Sequence, residues 1–84
     1  MYSVNENIVI RKIDSDFIVI NLDSGEITTF DGSGNAFFEA FLNACDEHKM
    51  FEQLIQKFDV EESVLREDIS EFLKTLLTRK IIDE

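Results

Sequence analysis

The hydrophobic pattern changes its period once, near residue 30, and this change limits the folds that the chain can adopt. Before that point, β-branched residues come in short runs separated by turn-forming Asp, Ser and Gly residues. Such runs are typical of strands in an antiparallel meander. The pattern predicts three strands, IVIRKI, FIVINL and EITTF with their flanks, at about residues 6–13, 17–22 and 26–30.

After residue 31 the apolar residues recur at three- and four-residue steps, as they do in amphipathic helices. Asp31 or Ser33 is expected to cap the first helix. The steps predict three helices, at about residues 33–47, 49–58 and 61–79. Strands followed by helices in one short chain predict an α+β, winged-helix-like fold, with a three-stranded antiparallel sheet packed on three helices.

The length of 84 residues predicts a single domain spanning residues 1–84. Two expectations concern its core. In the second strand, Ile18, Ile20 and Leu22 share one face, and we expect that face, rather than the one with Phe17, Val19 and Asn21, to be buried. In the third helix, the expected core stripe is Leu65, Ile69, Phe72 and Leu76.

All three glycines of the chain lie around the third predicted strand, in the window NLDSGEITTFDGSG, and the chain has no proline. We expect Gly25 to have a positive φ in the turn before the strand, and Gly32 and Gly34 to let the chain bend into the first helix. The short strand is therefore held between two bends.

The formal net charge of −10 bears on the partners of the protein. A surface this acidic repels phosphate groups, which argues against nucleic acid and anionic membranes as partners. The N-terminus does not resemble a secretory signal, no apolar run is long enough to cross a membrane, and the single Cys45 cannot form an intramolecular disulfide. These features predict a cytoplasmic protein.

Residues able to support catalysis or to bind a metal are sparse. Cys45 and His48 are the single residues of their types, whereas a metal site needs three or four ligands. We expect Cys45 to be packed as a small apolar residue and His48 to be solvated at a helix C-terminus. The sequence predicts no enzyme activity, no metal and no cofactor.

The third predicted strand has the features of an open edge. Arg11 and Lys12 discourage pairing along the first strand, whereas Glu26 is the only charge in the third. An extended peptide could pair with this strand by β-augmentation. The periodicity equally allows the third helix, or a second copy of the chain, to cover the edge.

Two segments carry a resemblance to a known family. In NLDSGEITTFDGSGNAFFEAF the residues concerned are Asp23, Gly25, Phe30, Asp31, Gly34, Phe37 and Phe38. In FDVEESVLREDISEFLKTLLTRKII they are Asp59, Val60, Asp68, Ile69, Phe72, Leu73, Leu76, Ile81 and Ile82. Both segments resemble PqqD-like proteins, which recognise precursor peptides in the biosynthesis of ribosomally made, post-translationally modified peptides. Phe30, Asp31 and Phe38 stand where that family usually has Leu, Asn and Trp.

The resemblance implies a free-standing adaptor that binds the leader segment of a precursor peptide. The leader would add as a strand beside the third strand, lie against the third helix, and be presented to a separate maturation enzyme such as a radical SAM maturase, a leader peptidase or a cyclase. The expected peptide-binding residues are Glu26, Ile27, Thr28, Thr29 and Phe30 of the strand, and Arg66, Ile69, Leu73, Lys74 and Leu77 of the helix.

Two other functions compete with this expectation. A winged-helix nucleic-acid-binding regulator fits the element order, but the acidic charge opposes it. A structural module could dimerise through the third strand and a face that holds Phe17 and Val19. We expect a monomer or a weak dimer.

Overall fold

The computed structural model describes all 84 residues and confirms the α+β arrangement of strands followed by three helices. Short turns connect the strands, and each helix begins within a few residues of the preceding element. The elements are β1 (Ser3–Val4), β2 (Ile8–Ile13), β3 (Asp16–Asn21), β4 (Ile27–Thr29), α1 (Ser33–Ala44), α2 (Glu47–Leu54), α3 (Glu62–Thr78) and β5 (Ile82–Asp83).

The three predicted strands correspond to β2, β3 and β4, which form an antiparallel sheet in that order. β4 therefore lies at one edge of the sheet. A second, two-stranded ribbon pairs β1 with β5 and joins the two ends of the chain. The sequence pattern does not predict this ribbon, because each of its strands has only two residues, too few to show an alternation.

The buried face of β3 is opposite to the predicted one. Phe17 and Val19 point into the core, where the Phe17 ring meets the edge of Phe38 at 5.2 Å between centroids. Asn21 is buried with them, and its side-chain oxygen accepts hydrogen bonds from the backbone N–H groups of Asp23 and Ser24. The inner face of β3 is thus packed through Phe17, and its buried polar side chain, Asn21, has hydrogen-bond partners.

The solvent side of the sheet carries Ile18 and Ile20, which are half-buried, and Leu22, which is largely exposed. Burial of Phe17 and Val19 also rules out the predicted dimer surface, because both side chains belong to the core.

The bends around β4 depend on two glycines in the left-handed region. Gly25 has a φ of +78°, as expected, and Gly32 has a φ of +51°. Gly32 is itself the N-cap of α1, and no side chain caps this helix, so the prediction of capping by Asp31 or Ser33 was wrong. In the first turn, the N–H groups of Gly34 and Asn35 donate instead to the backbone carbonyls of Asp31 and Gly32, at 3.0 and 3.2 Å.

The side chain of Asn35 fastens α1 to the sheet. Its oxygen accepts a hydrogen bond from the Phe17 N–H, and its amide donates to Asp16, both at 2.8 Å. These two bonds fix the position of the α1 N-terminus, which lies directly after β4.

The first two helices are shorter than predicted. α1 ends at Ala44 because Cys45 adopts a left-handed conformation with a φ of +54°, and Asp46 then caps α2 through a hydrogen bond from the Lys49 N–H. Cys45 is half-buried. His48 lies in the first turn of α2, not at a helix C-terminus, and is exposed beside Glu52 at 3.3 Å.

The core lies between the inner face of the sheet and the three helices. On α3 it takes Leu65, Ile69, Leu73 and Leu76, whereas the predicted core residue Phe72 is only half-buried. Phe72 instead joins an aromatic cluster between β4 and α3, where its ring lies 5.6 Å from that of Phe30. Phe30 in turn stacks on Phe38 at 4.9 Å, so the end of β4 is packed firmly against the helices.

Candidate functional site

The free edge of β4 presents unpaired backbone groups. The Asn21 N–H donates to the Glu26 carbonyl, the Phe30 N–H donates to the Phe17 carbonyl, and Thr28 lies opposite Val19. Residues 26, 28 and 30 thus direct their backbone groups toward β3. In an antiparallel ladder the intervening residues point theirs the other way. The N–H and C=O groups of Ile27 and Thr29 therefore face the open edge.

Side chains alternate along this edge strand. The Thr28 side chain points inward and is buried, while those of Ile27 and Thr29 point outward. Ile27 is 62% exposed, which is unusual for a large aliphatic residue in a three-residue strand. Glu26 precedes the strand and is also exposed. The edge is open in both its backbone and its side chains.

One row of residues on α3 and at its C-cap contacts β4 and its end, through Phe72 against Phe30 and Arg79 against Thr28. Asp68, Phe72, Thr75 and Arg79 follow each other at steps of four, three and four residues, which places them along one side of the helix. Asp68, Phe72 and Thr75 form one wall of a shallow depression of about 300 Å³, whose other wall is the start of α1. This depression is lined by Ser33, Gly34, Phe37, Asp68, Glu71, Phe72 and Thr75.

A second depression lies at the other end of β4. It is lined by Asn21, Asp23, Ser24, Glu26, Thr78, Arg79 and Lys80. Between the two depressions, the Arg79 guanidinium donates a hydrogen bond to the Thr28 hydroxyl at 3.2 Å, which joins the end of α3 to β4. The outward edge of Ile27 and Thr29, together with the row from Asp68 to Arg79, is called the β4–α3 site below.

Charge is divided along the β4–α3 site. Asp68 and Glu71 lie at the end formed with α1, whereas Arg79 and Lys80 lie at the end near Glu26. A bound segment would therefore meet carboxylates at one end and mixed charges at the other.

The structure brings together the predicted strand residues Glu26 to Phe30, but it separates them from the predicted helix residues. Ile69 and Leu73 are fully buried in the core, so a docked molecule cannot reach them. The Arg66 guanidinium lies over the Phe51 ring of α2 at 3.8 Å, and Lys74 pairs with Glu71 at 3.7 Å on the exposed side of α3. Leu77 is half-buried against the core.

The physical reason is the choice of helix flank. Arg66 faces α2, where its guanidinium lies over Phe51, whereas Leu73 is part of the core and Leu77 packs against it. The row toward β4 contains Phe72 and Thr75, which the sequence analysis did not select. The sequence did contain a signal for this choice, because Leu73 and Leu77 are better core candidates than a row that contains Thr75.

The groups with shifted pKa values lie outside the β4–α3 site. The backbone N–H of Lys49 lowers the pKa of Asp46 by donating to its carboxylate, an effect that partial burial opposes. Burial raises the pKa of Tyr2, with smaller contributions from Glu47 and Glu84. Both residues line a separate depression with Met1, Glu47, His48 and Glu84.

Two absences concern metal ions and membranes. No group of three or more His, Cys, Asp or Glu side chains is arranged to hold a metal ion. None of the helices combines the length and apolar character needed to span a membrane.

The fold and the site define a small winged-helix-like domain with an unpaired edge strand beside its longest helix. The family model described as coenzyme PQQ synthesis protein D (PqqD) matches residues 16–82. The chain belongs to the PqqD family, as the resemblance of its two segments predicted. No curated protein sequence matches the chain.

Two solved structures share the fold. TbiB1 in complex with the TbiA(beta) leader peptide is 15% identical, with a TM-score of 0.90, over 96% of this chain and 94% of that chain. Lasso peptide synthetase B1 complexed with the leader peptide is 14% identical, with a TM-score of 0.87, over 99% of this chain and 98% of that chain. The likeness extends over the whole domain, including the edge strand and α3.

Proposed function

We propose that the protein is an adaptor that binds the leader segment of a ribosomally made precursor peptide at the β4–α3 site. The observation that carries this proposal is the outward edge of Ile27 and Thr29, whose backbone groups have no partner in the chain. Membership of the PqqD family supports it, as do two solved relatives in fold that hold leader peptides.

Binding would proceed by addition of a strand. The leader would satisfy the two N–H and two C=O groups of Ile27 and Thr29, and each hydrogen bond contributes about 1 kcal/mol net. The Arg79–Thr28 bond and the stacking of Phe30 hold β4 in place before the peptide arrives, which limits the ordering cost of binding. Side chains on the inner side of the leader would meet Phe72 and Thr75.

The proposed role is presentation rather than catalysis. A leader paired with β4 keeps its own outer edge and its downstream segment exposed. A separate maturation enzyme, such as a radical SAM maturase, a leader peptidase or a cyclase, would act on that segment. Because a single strand edge provides few contacts, we expect the complex to form and dissociate readily, as an adaptor requires.

The test is a fluorescence anisotropy titration with the labelled leader of a precursor peptide encoded beside this gene. We expect a 1:1 complex with the wild-type protein. Thr29→Pro should weaken it about tenfold, because proline removes one outward donor without breaking the ladder to β3. Ile27→Asp should weaken it as well, by placing a carboxylate against the incoming strand.

Two matched variants control for general effects. Ser63→Pro places proline in the first turn of α3, where the helix tolerates it, and Leu22→Asp changes an equally exposed aliphatic residue away from the edge. Both should bind the leader normally. Full binding by Thr29→Pro, or no binding by the wild-type protein, would overturn the proposal.

A further inference from the structure

The outward face of the sheet, opposite the core, carries an unexpected apolar row. Val9 on β2, Ile20 on β3 and Ile27 on β4 lie directly opposite one another in the register. They alternate with the buried residues Val19 and Thr28, so all three side chains point to solvent. One continuous row of aliphatic side chains therefore crosses the sheet and ends at the open edge of β4.

The next row on the same face is different. Arg11, Ile18 and Thr29 lie opposite one another, and this row is polar at both ends. The two rows are two residues apart along each strand. On this face, a strand added beside β4 would therefore have Ile27 as its neighbour at one position and Thr29 as its neighbour two residues away.

The register of an added strand fixes which of its side chains meets Ile27. In either direction of pairing, the residue level with Ile27 projects from the same face of the sheet. An apolar side chain there would extend the row of Val9, Ile20 and Ile27 and cover the exposed Ile27 side chain. A charged side chain would have to lie against that aliphatic surface and lose part of its hydration.

We propose that Ile27 is a specificity-determining residue, which selects peptides with a large aliphatic or aromatic side chain at the position level with it. The position level with Thr29, two residues away, tolerates polar side chains. This inference rests on the proposed function and deepens it, since it defines the class of peptide bound. The selection occurs on the solvent side of the sheet, away from the wall formed by Phe72 and Thr75.

The experiment selects peptides from a randomised display library against the immobilised protein, and sequences the bound pool. We expect one position to be enriched in Ile, Leu, Val, Phe or Tyr, and the position two residues away to be mixed. Ile27→Lys should change the enrichment at the first position to Asp and Glu. Leu22→Lys, on the same face with a similar exposure of 67%, should leave the wild-type pattern unchanged.

A quantitative arm uses one selected peptide. Replacing its apolar residue with Asp should weaken binding to the wild-type protein about fivefold or more, and Ile27→Lys should restore most of the loss. The opposite result, in which Ile27→Lys neither changes the enriched residues nor rescues the Asp peptide, would overturn the inference.

The two proposals fail in different ways. If selected peptides depend on the Thr29 N–H but show no apolar preference at any position that responds to Ile27, the adaptor function stands and the role of Ile27 is rejected. If no peptide is enriched, or if Thr29→Pro binds the whole pool as well as the wild type, the strand-addition function is itself rejected.

Discussion

The guanidinium of Arg79 donates a hydrogen bond to the hydroxyl of Thr28, at 3.2 Å, across 51 residues of sequence. Arg79 immediately follows α3, and Thr28 is the central residue of β4. This bond is the one polar side-chain contact between the edge strand and the helix that forms the wall of the β4–α3 site. It holds the strand at a fixed distance from that wall.

A double-mutant cycle would measure this link. Thr28→Val and Arg79→Met each remove the hydrogen bond while keeping much of the side-chain volume. We expect a coupling energy of about 1 kcal/mol in urea unfolding, since the bond is partly buried and one partner is charged. Lys80→Met, which removes a neighbouring charge with no bond to β4, should show no coupling to Thr28→Val. Additive effects of the first pair would contradict a direct interaction.

The glycines on either side of the α1 start have different requirements. Gly32 has a φ of +51°, a conformation that strains any residue with a Cβ, although nothing lies near enough to clash with one. Gly34 lies inside the first turn of the helix, and an added Cβ would make ordinary contact with Phe30 at 3.6 Å.

Alanine substitution separates these two cases. Gly32→Ala should lower the free energy of unfolding by about 1 kcal/mol, because alanine is strained in the left-handed region. Gly34→Ala should raise it by about 0.5 kcal/mol, because alanine loses less conformational freedom in a helix. Equilibrium unfolding in urea measures both. If Gly34→Ala proved as destabilising as Gly32→Ala, the positive φ at Gly32 would not be the cause.

The outline of the fold follows from local pattern. Short β-branched runs and three- to four-residue helical steps are enough to identify the meander and the three helices, because each pattern extends over several residues. The position of Gly25 between two runs also predicted its positive φ correctly. The ribbon of β1 and β5 escaped detection because its strands pair residues from opposite ends of the chain.

Which face of each element is buried could not be predicted from local pattern in the same way. In β3 both alternating sets are apolar, and the set with Ile18 and Ile20 is as hydrophobic as the buried one. Burial is decided by the fit of Phe17 against Phe38, which depends on tertiary structure, while the buried Asn21 oxygen is satisfied locally by the N–H groups of Asp23 and Ser24. The strand part of the proposed site follows from the sequence pattern, whereas the helix part depends on this packing.

The pH dependence of stability should reflect Asp46. The Lys49 N–H stabilises its carboxylate at the start of α2, so the folded protein holds the pKa of Asp46 below the ordinary value of 3.8. A carboxyl group with a lowered folded pKa adds stability above its unfolded pKa. That contribution is lost as the pH falls below about 4 and through the lower folded value.

Asp46→Asn tests this dependence while keeping a residue that caps helices well. At pH 7 the wild type should have a higher Tm than the variant, and the difference should shrink toward pH 3. Glu67→Gln, on the exposed side of α3, is the control for the loss of a carboxylate that does not cap a helix. If the difference in Tm between the wild type and Asp46→Asn widened in acid, the pKa of Asp46 would not be lowered by folding.

Substitutions at two neighbouring positions of α3, Thr75 and Lys74, should affect peptide binding differently. Thr75 is exposed in the depression beside the start of α1, whereas Lys74 is equally exposed but does not line it. A tyrosine at position 75 would occupy the space that the inner side of an added strand needs. Thr75→Tyr should therefore weaken leader binding about tenfold or more, a loss of about 1.4 kcal/mol, with little change in the unfolding midpoint.

Lys74→Tyr provides the matched control, because it adds the same ring one residue away on the helix. Its affinity for the leader, measured in the same anisotropy titration, should remain within about twofold of the wild type, as expected for a surface change outside the contact. Circular dichroism would verify that both variants keep their helix content. If Lys74→Tyr blocked the leader and Thr75→Tyr did not, the peptide would lie along the exposed side of α3 that carries Lys74, and the wall of the site would have to be reassigned to that side.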